Sequence, residues 1–307
     1  MTVAWITHAD CRRHEMGEGH PECPERLDAI SDHLLSTGIM GLLAPFDAPL
    51  ATPEQLGHAH ASLHVRELFA ASPAEGYLQV DPDTAMNPHS LQAALRAAGA
   101  CVLATDLVLD GTVERAFCAV RPPGHHATRS AAMGFCFFNN VAVGIRHALD
   151  VRGLERVALV DFDVHHGNGS EDILGGDDRV LMVSTFERGL YPFSGDDPRA
   201  ANMVNVGVGR GSDGMALREA FADAWLPALN AFRPQLIFVS AGFDAHFADE
   251  MGGLRWTEKD YAWITSRIAE VAREHCAGRI VSTLEGGYSL PHLARSVAAH
   301  VRELAGA

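Results

Sequence analysis

Short apolar runs alternate with longer amphipathic segments along the chain. The apolar runs predict six buried strands, at residues 3–7, 116–120, 156–161, 180–184, 236–240 and 279–284. The amphipathic segments predict helices at residues 24–38, 89–110, 139–150, 214–232, 257–274 and 289–305. This alternation of strand and helix predicts a parallel sheet that is covered by helices on both faces.

The helix at 24–38 carries clear start and stop signals. It begins at Pro24 and ends at Gly38, which are favoured first and terminating residues of helices. Its apolar side chains are expected on one face, against the core: Leu27, Ile30, Leu34 and Leu35.

Composition and charge narrow the class of protein. The chain has 307 residues with 47% hydrophobic and 21% charged residues, as in a globular protein, and lacks linker-like segments or repeats. We therefore expect one continuous domain. The 39 acidic residues against 24 basic ones give a net charge of −15. Such a surface repels phosphate backbones, so direct binding to nucleic acid is not expected.

The beginning of the chain and its cysteines suggest a location. MTVAWITHAD does not have the basic-then-apolar pattern of a signal peptide, and no apolar stretch of about 18 residues is evident, so we expect no membrane partner. The six cysteines are scattered without a C-x-x-C pair. Free thiols in a reducing cytoplasm are the simplest interpretation.

Polar clusters follow four of the predicted strands. AFCAV runs into RPPGHH, VALVD into FDVHHGNG, LIFVS into AGFDAH, and IVSTL into EGGY. In parallel α/β sheets the ligand site lies beyond the carboxyl ends of the strands. These four clusters are therefore expected to meet at one edge of the sheet.

The pattern D-x-H in the second cluster indicates a metal site. Asp163 and His165 lie two residues apart, and in an extended segment such residues face the same side. A catalytic zinc usually has three protein ligands and an open position. Asp244, at another strand end, is the best third ligand, although an aspartate there often only caps a helix. The Asp/His/Asp set favours catalysis over a structural role.

Two adjacent histidines, His125 and His126, follow a stiff Pro-Pro-Gly turn. They could be metal ligands, a proton-transfer pair beside a metal, or solvated turn residues. A general base needs a partner that orients its ring, and Asp161 and Asn168 could each orient one of them. Unequal partners would give the two imidazoles different pKa values and separate a base from an electrostatic role.

Aromatic residues supply further candidates. Tyr288 in E-G-G-Y could donate a hydrogen bond to an oxyanion, or could simply pack against the core. Phe135 and Tyr191 could line a channel, whereas Phe137 and Phe138 are expected in the core. Five histidines without a paired motif are expected at the surface: His58, His60, His64, His89 and His147.

Together these motifs resemble the zinc-dependent histone deacetylase superfamily, in its branch of bacterial amidohydrolases near the eukaryotic class II enzymes. The resemblance spans nearly the whole chain, from GHPECPERL (19–27) and NPHSLQAALRAAG (87–99) through RPPGHH, GFCFFNN, VDFDVHHGNG and SAGFDAH to LEGGY. It implies a single-domain (1–307), three-layer α/β fold of the arginase/deacetylase type with an eight-stranded parallel sheet. It also implies a deacetylase that acts on a small-molecule or peptide acyl amide.

The resemblance implies specific catalytic roles. His126 would be the general base and then the acid, while His125, paired with Asp161, would act electrostatically. Tyr288 would polarise the acetamide carbonyl together with zinc, and Asn168 would orient His126. The implied ligands of one Zn²⁺ are Asp163, His165 and Asp244. The implied ligands of a structural K⁺, partly through backbone oxygens, are Asp161, Asp163, His165, Ser184 and Thr185.

Substrate-binding roles follow from the same resemblance. Phe135, preceded by Gly134, and Tyr191 would flank a channel for an acyl-lysine-like chain. Arg26 matches an arginine near an internal acetate cavity, and Asp83 matches an acidic residue at the rim that holds the substrate backbone.

Two departures from the family pattern bear on the substrate. Asn168 stands where class I members have aspartate. Met251 stands at the position where polyamine deacetylases carry an acidic gatekeeper, and Glu250 is adjacent. The missing acidic gatekeeper weakens the case for an acetylpolyamine substrate without excluding it. A two-metal hydrolase of the arginase type and a zinc- or acyl-binding module without turnover are rival interpretations of the same residues. The sequence leaves homo-oligomerisation open.

Overall fold

Ten strands and ten α-helices are found in residues 2–307, the part of the chain that the computed structural model describes. The strands are β1 Val3–Thr7, β2 Leu43–Asp47, β3 Leu78–Asp81, β4 Thr84–Met86, β5 Arg115–Cys118, β6 Val157–Asp161, β7 Val180–Glu187, β8 Met203–Val208, β9 Leu236–Ala241 and β10 Ile280–Leu284. The helices are α1 Glu25–Ser36, α2 Pro53–Ala59, α3 Ser62–Ala71, α4 Ser90–Leu109, α5 Asn140–Arg146, α6 Asn168–Leu174, α7 Gly214–Ala220, α8 Leu226–Phe232, α9 Glu258–His275 and α10 Leu290–Ala305.

Eight strands form one parallel sheet in the order β2-β1-β5-β10-β9-β6-β7-β8. Strands β5, β6, β7, β9 and β10 are buried along their whole length. Helices α4 and α5 pack against this sheet, and α10, which contacts β5, packs with α1 and α9. The predicted three-layer α/β fold with an eight-stranded parallel sheet is thus confirmed. Strands β3 and β4 form a separate antiparallel hairpin.

The four strands that precede the polar clusters are neighbours in the sheet. They occupy consecutive central positions in the order β5-β10-β9-β6. Because the strands are parallel, their carboxyl ends lie along one edge, and the loops that follow them meet there. The predicted convergence of the four motifs is therefore a direct result of the strand order.

The apolar runs revealed six of the eight strands and missed both edges of the sheet. Strands β2 and β8 are only partly buried, because each has a neighbour on one side alone. Their sequences, LAPFD and MVNVGV, include proline, asparagine and glycine among the apolar residues. A partly exposed edge strand does not need apolar side chains along its whole length. The pattern of apolar runs therefore did not reveal these two strands.

Two predicted helices are longer than the α-helices observed. The segment 214–232 consists of α7 and α8 joined by a π-helical turn at Phe221–Trp225. The segment 139–150 consists of α5 and a π-helical turn at His147–Val151. The chain stays helical through a π-helical turn, so the hydrophobic pattern still indicates one helical segment without revealing the turn.

Helix α1 confirms most of its predicted packing. Pro24 directly precedes it, and Gly38 after its end adopts a φ of +76°. Leu27, Ile30 and Leu34 are buried. Leu35, however, is 63% exposed, so its assignment to the buried face was wrong. Successive side chains on an α-helix are rotated by roughly 100° about its axis. Leu35 therefore points away from the core that Leu34 contacts.

Helix α4 corrects the expectation that no segment is long and apolar enough to span a membrane. Its 20 residues, Ser90–Leu109, have a mean hydropathy of 1.4 over an 18-residue window, and 72% of that window is buried in the fold. The helix contacts β1, β5 and β10. This packing explains why it is apolar on nearly every side.

Helix α1 allows a matched test of its packing. Leu34→Ala should lower the free energy of unfolding by about 2–5 kcal/mol, since the buried side chain leaves a cavity. Leu35→Ala, on the same helix but exposed, should change it by less than about 0.5 kcal/mol. Urea unfolding followed by circular dichroism measures both. Equal losses would show that α1 does not pack through the observed face.

Candidate active site

Asp163, His165 and Asp244 form a buried cluster at the carboxyl ends of β6 and β9, as predicted. One donor atom from each residue lies within 4.8 Å of the other two. His165 Nδ1 lies 3.0 Å from Asp163 Oδ1 and 3.2 Å from Asp244 Oδ2. The latter oxygen is buried and accepts no hydrogen bond of good geometry within residues 2–307. Two carboxylates and an imidazole, with one oxygen unsatisfied, fit a divalent transition-metal ion.

The electrostatics of this cluster also call for a cation. Burial lowers the pKa of His165, but Asp163 and Asp244 outweigh it and raise that pKa to about 10. Burial and the nearby Asp163 raise the pKa of Asp244 to about 6. In the metal-free protein a proton on His165 therefore offsets one of the two carboxylate charges. A metal ion competes with that proton for the same imidazole.

His125 and His126 lie beside the cluster with different partners. His125 Nδ1 lies 3.1 Å from Asp161 Oδ2, and His126 Nδ1 lies 2.7 Å from Asn168 Oδ1. The Asn168 amide nitrogen donates to Met133 Sδ, so its oxygen faces the histidine. Asp161 and Asn168 are the orienting partners expected from the sequence. The contact with Asn168 uses Nδ1 of His126, so Nε2 of that ring does not take part in it.

The two imidazoles differ in pKa as their partners require. Burial disfavours the charged form of His125, yet the carboxylates of Asp163 and Asp161 overcome this effect and raise its pKa to about 10. Burial, with the charge of His125, lowers the pKa of His126 well below its usual value. These shifts favour a charged His125 and a neutral His126 at neutral pH, and a neutral imidazole keeps one unprotonated ring nitrogen.

Glu285 is a buried residue that the sequence interpretation overlooked, although it begins the E-G-G-Y motif. Its Oε2 accepts the N–H groups of Gly124 at 2.7 Å and His125 at 3.1 Å, and its Oε1 accepts the Ser240 hydroxyl at 3.1 Å. Burial raises its pKa to about 7. The carboxylate ties the loop after β10 to the histidine loop after β5. A glutamate at the end of a fully buried strand was the signal that could have revealed it.

The loop after β10 passes close to the metal cluster. The N–H of Gly286 donates to Asp163 Oδ2 at 2.8 Å. A Cβ at position 286 would lie 2.0 Å from Asp244 Oδ2, so only glycine allows this approach. Tyr288 follows in the same loop, and burial together with Asp244 and Asp163 raises its pKa well above the usual value. Its phenol therefore stays protonated and can donate a hydrogen bond.

Arg26 lies directly behind Tyr288. Its guanidinium carbon is 4.9 Å from the centre of the tyrosine ring, and its Nε donates to the Gly287 carbonyl at 2.7 Å. The residue is fully buried, and Nη1 pairs with Glu22 at 3.1 Å. Arg26 thus packs against the loop that follows β10. Its predicted contact with acetate stays a prediction.

Phe135 lies near Tyr288 and Tyr191 lies near His126, while their role as channel walls stays a prediction. The Phe135 ring is 6.0 Å from that of Tyr288, and the Tyr191 ring is 5.2 Å from that of His126. Asp83 Oδ1 accepts the N–H of Gly134 at 3.2 Å, so it supports the turn before Phe135.

The turn at Gly134 fits closely against His126. Gly134 has a φ of +56°, and a Cβ there would lie 2.5 Å from His126 Cδ2. Met251, with Glu250, lines a cavity of about 310 Å³ beside Tyr288.

The residues of the predicted potassium site are only partly brought together. Ser184 pairs with Asp161 in the register of β6 and β7, and its carbonyl accepts the Trp225 indole N–H at 3.3 Å. The Thr185 hydroxyl is buried without a partner in residues 2–307. Potassium binding by these residues stays a prediction.

The expectation of surface histidines was wrong for His60, His64 and His147, which are buried. His60 Nε2 accepts the N–H of Asn139 at 2.9 Å, and His64 Nε2 lies 2.9 Å from the Phe137 carbonyl. These side chains support the segment after the Phe135 turn. Single buried histidines that bind backbone groups leave no sequence pattern, which is why they were missed. Phe137 and Phe138 are buried as predicted.

Comparison with known proteins identifies the family. Residues 20–304 match the family model described as the histone deacetylase domain. The chain belongs to the histone deacetylase family. It is 37% identical to the histone deacetylase-like amidohydrolase of Pseudomonas aeruginosa, over 94% of this chain and 77% of that protein. The crystal structure of HDA15 HD domain matches with a TM-score of 0.93 and 33% identity, over 99% of this chain and 88% of that one.

A longer relative is the polyamine deacetylase HDAC10 of Mus musculus, which is 37% identical over the whole chain. The chain spans 48% of that protein's length. These relatives, with the site geometry, show that this histone deacetylase family member is an enzyme that hydrolyses amides. Among residues 2–307 one group of three side chains that could hold a metal ion is found.

The close fit of Gly134 against His126 leads to a prediction. Gly134→Ala should lower kcat by about 10²-fold, because the added Cβ displaces the imidazole. Gly111→Ala is the matched control: Gly111 also has a positive φ, of +72°, but faces open space. That control should lose about 1–2 kcal/mol of stability and keep its kcat. Steady-state amide hydrolysis and thermal unfolding measure both variants, and equal activity losses would refute the steric argument.

Proposed function

We propose that the chain is a zinc-dependent deacetylase that hydrolyses N-acetyl or other acyl amides of lysine-like primary amines. The observation that carries this proposal is the position of a neutral His126, oriented by Asn168, beside the Asp163–His165–Asp244 cluster. A binding module without turnover would need the metal ligands but no oriented base. The proposal also rests on membership of the histone deacetylase family.

Zinc fits the three residues because they offer two carboxylates and an imidazole in a buried site with an unsatisfied oxygen. When bound, zinc supplies a Lewis acid for the carbonyl and lowers the pKa of a water molecule toward about 7. Asp163, His165 and Asp244 would hold it. Backbone N–H groups donate hydrogen bonds to the carboxylates of Asp163 and Asp244, and these bonds fix the orientation of both carboxylates.

The histidines divide the proton chemistry between them. His126 accepts a proton from the attacking water at Nε2, since its Nδ1 is committed to Asn168. The same nitrogen then protonates the leaving amine. His125, whose charged form Asp163 and Asp161 favour, stabilises negative charge that develops nearby without transferring its own proton. The Tyr288 phenol donates a hydrogen bond to the carbonyl oxygen as it becomes an oxyanion.

The substrate would enter as an extended chain. Phe135 and Tyr191 flank its methylene groups, and the close-packed Gly134 turn keeps the passage beside His126 narrow. Asp83 at the rim would accept a hydrogen bond from the substrate backbone, and Arg26 would act on released acetate from behind Tyr288.

Acetylpolyamines are the second candidate substrates. The similarity to a polyamine deacetylase and the net charge of −15 favour a cationic substrate, and Glu250 lines the cavity beside Tyr288. Met251, rather than an acidic residue, occupies the gatekeeper position and favours acetyl-lysine-like amides.

Further proposals concern the environment of the enzyme. A structural potassium would be held near Ser184 and Thr185, where a buried hydroxyl is unsatisfied. A cytoplasmic location is supported by six free cysteines, five of them buried.

The Tyr288 phenol has a direct test. Tyr288→Phe should lower kcat by about 10²–10³-fold, because one donor to the oxyanion is lost. Zinc content should not change, since Tyr288 is not among the ligands. Tyr77→Phe, which removes an exposed phenol, should keep the wild-type kcat. Acetate released at fixed times measures kcat, and elemental analysis measures zinc content. Wild-type turnover by Tyr288→Phe would refute the role of Tyr288 in stabilising the oxyanion.

Metal removal and a substrate panel test the reaction itself. We expect acetate release from an acetyl-lysine peptide to exceed that from N-acetylputrescine, to stop after dialysis against a chelator, and to return with added zinc. Asp244→Ala should purify without zinc, whereas Asp47→Ala, an exposed carboxylate on β2, should retain it. Faster turnover of N-acetylputrescine would favour the polyamine candidate. Absence of acetate release from every amide would favour a binding module.

A further inference from the structure

Asp249 is a buried carboxylate that none of the motifs had singled out. It lies five residues after Asp244 and is 5% exposed. Its Oδ2 accepts the N–H of Tyr288 at 2.6 Å and that of Ser289 at 3.0 Å. Its Oδ1 accepts the N–H of Met251 at 3.1 Å. One side chain therefore binds three backbone groups from two loops at the edge of the site.

The charge of Asp249 is balanced by these amides. Within residues 2–307 it forms no ion pair, and its hydrogen-bond partners are backbone N–H groups. Ser289 is the N-cap of α10, whose 16 residues direct the positive end of a helix dipole toward the carboxylate. Its contacts thus hold one local structure in place, the turn at residues 288–289.

That turn needs an external support. Tyr288 follows two glycines, and Gly287 has a φ of +118°, a conformation that glycine enters without a side chain to restrain it. Arg26 and Phe135 contact the tyrosine ring from two sides, and Arg26 Nε also donates to the carbonyl of Gly287, on one side of the Gly287–Tyr288 peptide. The N–H of the same peptide donates to Asp249, so the carboxylate holds the other side. The direction of the Tyr288 Cα–Cβ bond, which sets where the phenol points, depends on this hydrogen bond to Asp249.

We propose that Asp249 is a positioning residue that aims the Tyr288 phenol at the reacting carbonyl. The proposal rests on the function proposed above, in which that phenol stabilises the oxyanion. Through Met251 the same carboxylate also fixes the rim residue at the gatekeeper position relative to the phenol. Asp249 touches neither substrate nor metal in this role and acts only through the two loops.

The isosteric variant Asp249→Asn tests whether the hydrogen bonds of Asp249, rather than the size of its side chain, hold the turn. An asparagine has one oxygen, whereas the three N–H donors approach from both sides of the carboxylate. In either orientation the amide NH₂ faces an N–H group, and a buried donor is left unsatisfied. The turn must then move or lose its anchor, although the size of the side chain is unchanged.

A double-mutant cycle tests the proposal by kinetics. Asp249→Asn should lower kcat about 10-fold, with KM changed less than about twofold and zinc content unchanged. Since Asp249 acts through Tyr288, the double variant with Tyr288→Phe should have the kcat of Tyr288→Phe alone. Losses that multiply in the double variant, or a wild-type kcat for Asp249→Asn, would overturn it. Asp213→Asn, at a remote exposed N-cap that accepts the Met215 N–H, should leave kcat unchanged.

A spectroscopic readout tests positioning without turnover. The chain has four tyrosines, so zinc-loaded protein made with fluorotyrosine gives a small set of ¹⁹F resonances, and Tyr288→Phe assigns one of them. In Asp249→Asn the Tyr288 resonance should shift or broaden while that of the exposed Tyr77 stays unchanged. An unchanged Tyr288 resonance would contradict the proposal. If Asp249→Asn does not fold, Asp249→Glu, which displaces both oxygens by one methylene, takes its place in both experiments.

The two readouts also distinguish the failure of this inference from that of the proposed function. If the wild type releases no acetate from any amide, the function fails while the fluorine spectra still decide whether Asp249 holds Tyr288. If the wild type is active and the losses multiply, the function stands and the positioning role does not.

Discussion

Four carboxylates buried at one edge of the sheet are the constraint on which the rest of the structure depends. Asp161, Asp163, Asp244 and Glu285 are each at most 1% exposed. Buried charges of one sign are tolerated only if cations and hydrogen-bond donors compensate them. Imidazoles and backbone N–H groups from the loops after β5, β6 and β10 supply most of this compensation, and a metal ion would supply the rest. The geometry of the loops is thus dictated by the charges they surround.

At two positions the backbone lies so close to these carboxylates that no side chain fits between them. Gly286 lies where a Cβ would be 2.0 Å from Asp244 Oδ2, and Gly242 lies where one would be 1.9 Å from Asp163 Oδ2. Glycine at these positions lets main-chain atoms approach the carboxylates closely. The E-G-G-Y and A-G-F-D motifs therefore combine a chemical residue with the glycine that makes room for it.

Much of this site could be predicted because its residues follow buried strands in short, distinctive clusters. Asp163, His165 and Asp244 met as predicted, and His125 and His126 found Asp161 and Asn168 as partners. Residues that act through contacts with backbone groups escaped prediction. Glu285, His60 and Asp249 each bind N–H groups of loops that are distant in sequence, and such contacts exist only once the chain has folded. The half-exposed edge strands escaped for the related reason that their pattern is weak.

The position of β10 has a consequence for how the enzyme is made. It is the last strand in sequence, yet it lies in the middle of the sheet, between β5 and β9. Without it the strands fall into two groups, β2-β1-β5 and β9-β6-β7-β8, with the histidine loop on one and the metal ligands on the other. The histidine loop and the metal ligands therefore come together only when β10 pairs with strands on both of its sides. Completion of the centre depends on pairing between segments that are far apart in the sequence, and such long-range pairing slows folding.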